Sequence, residues 1–183
     1  MAVDRTYSVR WFGPFEDVED VKKFEDNHKS LSFQLYLLQG YKPHARYHDS
    51  YYCGQTQRSV YKRLTDDNHH INDLKTISAI WIGSISNVEP AHSDINVVEK
   101  IVTAQMRSTY GEKYMLNKMN TNFPTYNAYV INIWHNTNGK RMQRYQQFTI
   151  PYDLPDVIGH EFDKDLEAHM LFSASKIKWS DVE

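Results

Sequence analysis

Four side chains far apart in the chain could act together on a phosphate: Tyr36, Tyr52, Arg63 and Glu99. A free phenol ionises near pH 10, so a tyrosine that is to move a proton needs positive charge beside it. Arginine supplies that charge permanently, and its planar fork grips phosphate or carboxylate oxygens. A carboxylate on the border of an apolar helix face is a good post for an oxygen-seeking divalent ion. Phosphodiester hydrolysis needs such functions together: a positioned water, a base, neutralisation of the developing charge, and help for the departing oxygen. Taken singly, each residue also has a structural role open to it. A strand tyrosine packs in a core or on a sheet face, and a helical glutamate is solvated or pairs with a lysine such as Lys100 or Lys113.

The elements that must hold these groups are readable. Residues 33–63, FQLYLLQGYKPHARYHDSYYCGQTQRSVYKR, give strand, polar loop, strand and helix. Phe33 to Gln39 is nearly all apolar, which predicts a strand covered on both faces. Ser50 to Gly54 returns as the second strand of an antiparallel hairpin, and Gly54 permits a sharp turn or a close backbone approach. Thr56 or Ser59 caps a helix running to about Thr65, with Val60 and Leu64 inward. Arg63 borders that buried stripe and can reach over the strand ends. Thr76 to Ile85 is the clearest strand, rich in β-branched residues. Ser93 or Asp94 caps a helix from Ile95 to Tyr110, whose inner face is Val98, Ile101, Val102 and Met106; Gly111 stops it. Glu99 stands at the edge of that face.

Outside this unit the signals are shorter. Tyr7 to Phe12 reads as a strand stopped by Gly13-Pro14, and Glu16 to Asp26 as an amphipathic helix. Ala128 to Trp134 is a strand, Asn138-Gly139 a turn, Phe148 to Ile150 an edge strand, and Asp163 to Phe172 a helix on the spacing of Leu166, Met170 and Phe172. There is no repeat or linker, so one domain of α+β class is expected.

Composition narrows the function classes. The 183 residues are 40% hydrophobic and 24% charged, ordinary for a soluble globular protein. A formal charge of −2 counts against a tight general binder of nucleic acid, but local basic groups remain: Arg46, Arg58 and Lys62 near the hairpin, and Lys140, Arg141 and Arg144 later. The loop 41–49 and the segment 136–145 are the candidate substrate contacts. Cys53 is the one cysteine, expected buried and inert, and excludes an internal disulfide. No apolar run approaches the roughly 20 residues that cross a bilayer, and MAVDRTYSVRW lacks a signal-peptide core. The expected location is the cytoplasm of a bacterial cell or a phage-infected host.

The order Leu35-Tyr36, then Tyr52-Cys53-Gly54-Gln55-Thr56, Arg63, Glu99 and Asn117 resembles the GIY-YIG nuclease superfamily over about residues 33–120. VRWFGPF, LNKMN and INIWHNTNGK extend the likeness to bacterial and phage proteins built on the same core. The first motif here reads Gln34-Leu35-Tyr36, Cys53 stands inside the second, and the loop between them is longer than usual. The histidine that many members carry one helical turn after the arginine is Asp67, with His69 and His70 as substitutes. The resemblance implies a small, mainly antiparallel central sheet flanked by helices, with a strand–helix addition at 1–32 and a strand/helix addition at 121–183. It implies a DNA endonuclease in restriction, phage defence or phage-encoded attack on DNA. Glu99 would hold Mg²⁺ or Mn²⁺, and Tyr36 would be the base. Tyr52 would orient water or phosphate, Arg63 would grip the phosphate, His69 or His70 would relay a proton, and Asn117 would brace the site. A homodimer would offer two sites for two DNA strands. A module that has lost catalysis and binds nucleic acid or a protein fits the same altered motifs.

Overall fold

Strand β1 (Arg5–Phe15) runs through the middle of the molecule because its side chains are apolar on both sides: Tyr7, Val9, Trp11, Phe12 and Phe15 are all buried. In this computed structural model, which describes residues 4–45, 49–118 and 122–174, the elements that follow are α1 (Val18–Asn27), β2 (Leu35–Tyr41), β3 (Ser50–Gln55), α2 (Val60–Leu64), β4 (Thr76–Ile85), α3 (His92–Tyr110), β5 (Ala128–His135), α4 (Ile150–Asp153), β6 (Val157–Asp163) and β7 (Ala168–Ala174). The class is α+β. The strands form a single sheet in the order β3-β2-β4-β1-β5-β6-β7.

That sheet is larger than the small one expected, though mainly antiparallel as expected: among the described residues only the strands β1 and β5 pair in parallel. It has seven strands and is mixed: β1 pairs β4 antiparallel on one side and β5 in parallel on the other, Arg5 to Phe12 against Ala128 to His135. The expectation misses β5 as a partner because a pairing across more than a hundred residues leaves no local mark. Gly13-Pro14 does not stop β1. A register shift between Phe12 and Phe15 keeps the strand going and turns both phenylalanines to the same face.

Two cores result, one on each face. Helix α3 covers Trp11, Leu35, Leu37, Cys53, Trp81 and Trp134 with Val98, Ile101, Val102 and Met106. Helices α1 and α2 cover Tyr36, Leu38, Tyr52 and Ile80 with Val21, Phe24, Val60 and Leu64. Of the expected caps, Ser59 accepts from Lys62 N–H at 3.1 Å; α1 is capped by Asp17, which accepts from Asp20 N–H at 2.9 Å. For α3 the start is earlier than expected. Asp94 lies inside the first turn and accepts from Ala91 N–H at 3.0 Å instead of capping.

The C-terminal part corrects two further expectations. Residues 163–172 are not a helix. They form the β6–β7 hairpin, reversed by Asp163, whose Oδ1 accepts from the amides of Asp165 and Leu166 at 2.9 and 3.1 Å, and by Glu167 at φ 48°. Among the described residues, 122–174, the C-terminal addition brings strands and one short helix. Phe148 to Ile150 is not an edge strand either, since Ile150 is buried as the first residue of α4. Among the described residues no helix is long and apolar enough to cross a membrane.

Candidate active site

Strand β3 ends the sheet, so its outer backbone groups need partners from elsewhere. The first half finds them in the segment after α3. Leu116 N–H donates to Tyr51 O at 2.8 Å, and the Asn117 amide grips Cys53 from both sides, accepting from its N–H at 2.9 Å and donating to its carbonyl at 2.6 Å. Asn117 thus imitates a peptide group and fixes the strand between Tyr52 and Gly54. Replacing Asn117 with alanine leaves two backbone groups unpaired and is expected to cost about 1–3 kcal/mol, read as a lower denaturant midpoint and faster amide exchange in β3.

Beyond Cys53 the edge is open, and a cleft of about 520 Å³ lies there. Its walls include Tyr52 from β3, Arg58 and Arg63 from around α2, and His92 and Glu99 from α3. The two faces of the sheet meet at this point: α2 reaches the cleft from one face and α3 from the other. Tyr52, Arg63 and Glu99, distant in sequence, share this hollow. Tyr36 does not reach it. Its ring is wholly buried behind Tyr52, centroids 5.9 Å apart.

The space for Tyr36 exists because Gly54, its partner across the ladder, has no side chain. A Cβ at Gly54 would fall on the Tyr36 ring and hydroxyl and stand 2.6 Å from Tyr52 Cε1. Burial, and then the adjoining Tyr52, push the Tyr36 phenol far up, while Arg63 pulls the other way. Burial also raises Tyr52, while the neighbouring Tyr36 hydroxyl and Arg63 oppose that rise.

His69 closes the back of the pair. Its Nδ1 accepts from Ile71 N–H at 2.9 Å, so a neutral ring carries its hydrogen on Nε2 and donates it to the Tyr36 oxygen at 2.7 Å. Burial, helped by Arg63, lowers its pKa to about 4. His69 stands where a relay was expected, but in this tautomer it is a donor that holds the phenol. The sign of its pH effect follows. The unfolded ring protonates below about 6.5 and the folded ring only near 4, so His69 should contribute stability above 6.5 that is lost as pH falls towards 4. Nitrogen-15 NMR should show a neutral Nε2–H imidazole at pH 6. His70 is half-exposed, bonds Asp73 at 2.9 Å and lies 5.0 Å from the Tyr52 ring.

Glu99 is the group with the clearest demand for a cation. Among the described residues it has no ion-pair partner, and burial pushes its pKa up to about 7. No three His, Cys, Asp or Glu side chains converge among the described residues. Arg63 donates to Asp66 at 2.9 Å, and Arg58 also pairs with Asp66. Cys53 is buried, its thiol pushed well up by burial.

Four lining residues are not among the expected site residues, Gln55, Thr56, Gln57 and His92, and neither is Asn96, which bonds the side chain of Gln55. Positions 92, 96 and 99 follow one another along one side of α3, and that polar stripe beside the apolar face is the available signal. Of the expected substrate contacts, Arg58 and Lys62 lie on a second hollow of about 720 Å³ between α1 and α2, which shares Thr56, Gln57 and Arg58 with the cleft. Lys140, Arg141 and Arg144 follow β5, four places from β3 in the sheet order, and do not line the cleft. Arg46 lies outside the described residues. Comparison with known proteins finds no matching family model, no similar curated protein and no similar solved structure.

Proposed function

We propose that this chain is a divalent-metal-dependent endonuclease that hydrolyses DNA phosphodiester bonds, a divergent relative of the GIY-YIG nucleases. One observation carries the reading: Tyr52, Arg63 and Glu99, from three separate elements, line one open cleft, with Tyr36 and His69 directly behind Tyr52. Restriction, phage defence or phage-encoded attack on DNA are the settings that such an activity would serve.

The chain's own residues divide the work as follows. Arg63, held by Asp66, meets a phosphate oxygen and offsets the charge that develops on it. Tyr52, facing the cleft, gives up its own proton to solvent with Arg63 nearby, and the resulting phenolate takes the proton of the attacking water. His69 donates to the Tyr36 hydroxyl, and Tyr36 stacks behind Tyr52, so a fixed polar pair backs the ring that takes the proton. This exchanges the two tyrosine roles that the family resemblance implies, because Tyr36 is sealed from the cleft. Glu99 holds Mg²⁺ or Mn²⁺, which when bound supplies Lewis acidity to the phosphate and the leaving oxygen.

Arg63→Ala is expected to lower the cleavage rate of supercoiled plasmid in Mg²⁺ by about 10²–10³. Wild-type protein that leaves supercoiled, linear and single-stranded DNA intact would defeat the reading. A second reading has its own support. Asp66 pairs with both Arg58 and Arg63 and so neutralises part of the positive charge a phosphate would meet, as a binding module without catalysis could tolerate. Calorimetry separates the two: heat on adding Mn²⁺, absent in Glu99→Ala, belongs to the enzyme.

A further inference from the structure

We infer that Gln55 is a second protein ligand of the divalent ion, its side-chain oxygen acting with the Glu99 carboxylate. The inference rests on the nuclease reading in one respect only, that Glu99 binds a metal. Gln55 is the last residue of β3 and lines the same cleft as Glu99. Its side-chain nitrogen donates to Asn96 Oδ1. Asn96 lies on α3 one turn before Glu99, so this bond ties the end of the strand to the helix that carries the carboxylate and fixes which way the Gln55 amide points. The Gln55 oxygen is then sealed from water and has no hydrogen-bond partner among the described residues. Few buried amide oxygens are left that way. An oxygen without a donor and a carboxylate without an ion-pair partner, lining one cleft, ask for a cation.

The chemistry of the pair favours a particular kind of ion. One carboxylate and one amide carbonyl form an oxygen-only set, which suits Mg²⁺ or Mn²⁺ better than a metal that seeks nitrogen or sulfur. No third acid, histidine or cysteine converges with them among the described residues, so the remaining positions fall to water and to substrate oxygens. A neutral second ligand also keeps the site's charge low, leaving the ion strongly attractive to an anionic phosphate.

Mn²⁺ binding to the full chain, followed by the loss of the free-ion electron paramagnetic resonance signal, tests this without any DNA. Gln55→Ala should weaken Mn²⁺ binding about tenfold, Gln55→Glu should tighten it by at least that factor, and Glu99→Ala should remove it. Thermal melting checks that each variant is folded. If Gln55→Ala melts early, Gln55→Glu decides, and no gain in affinity there overturns the inference. Unchanged Mn²⁺ affinity in both Gln55 variants, with binding lost in Glu99→Ala, removes Gln55 as a ligand and leaves the nuclease reading standing. Wild-type protein that binds no Mn²⁺ removes both.

Discussion

Glu99→Gln should cleave plasmid at least about 10³-fold more slowly than wild type in Mg²⁺, yet melt at the same temperature or higher when metal is absent. Glutamine keeps the shape of the side chain on α3, so packing against β3 should survive. What is lost is the charge, and in the metal-free protein that charge is a burden. Glu99 titrates at about 7 in the folded chain against an ordinary 4.5, because burial disfavours its ionised form. The folded state therefore binds the proton more tightly than the unfolded one. Stability from this group is complete below 4.5 and is lost as pH rises to 7, after which it is level. Metal binding has the opposite slope. The ion needs the carboxylate ionised, so its affinity, and the stability it adds, should grow over the same window. Melting curves from pH 5 to pH 8, with and without Mn²⁺, should show both slopes in wild type, and in Glu99→Gln only the rise between pH 5 and 6.5 that belongs to His69 should remain. Retained cleavage in the variant would end the role given to Glu99.

The residues around this group differ in how far sequence can expose them. Strands near Phe33–Gln39 and Ser50–Gly54, and helix α3 with its inner face, follow from local periodicity, and local periodicity is written in neighbours a few residues apart. The convergence of Tyr52, Arg63 and Glu99 is not local, and comes into view only through the order of motifs. His69 is legible as a residue but its partner is not. Its contact with Tyr36 depends on the turn after α2 folding back under the hairpin, which no spacing rule encodes. Gln55 and Asn96 escape notice because amides carry no charge to mark them. The C-terminal hairpin misleads for a simpler reason. Leu166 and Met170 stand one helical turn apart by sequence, yet Leu166 sits exposed at a hairpin tip and Met170 on the last strand, so the same spacing serves a chain reversal. Parallel pairing of β1 with β5 joins the first strand to one beginning at Ala128, a distance at which only tertiary packing decides.

A methyl group at Gly54 should harm both the fold and the site. Gly54→Ala keeps a backbone conformation that alanine tolerates, so the penalty comes from space alone. The added carbon falls on the Tyr36 ring, which has no room to retreat: Tyr36 is wholly buried, with its hydroxyl held by His69 and its ring against Tyr52. Relief requires Tyr36 to swing away or β3 to leave β2 at Gly54, and either course disturbs the Tyr36–His69 pair behind Tyr52. Overpacking of this kind costs about 1–3 kcal/mol, and the upper end is expected where the clash is with a ring and not with a flexible tip. Cleavage should fall with it, because Tyr52 shares the strand. A double mutant identifies the cause. Tyr36→Leu shortens the side chain that the new methyl would strike, so its own cost should shrink by about 1 kcal/mol or more in the Gly54→Ala background. Additive costs in denaturant unfolding would mean that Gly54 serves the turn into α2, and that its closeness to Tyr36 is incidental.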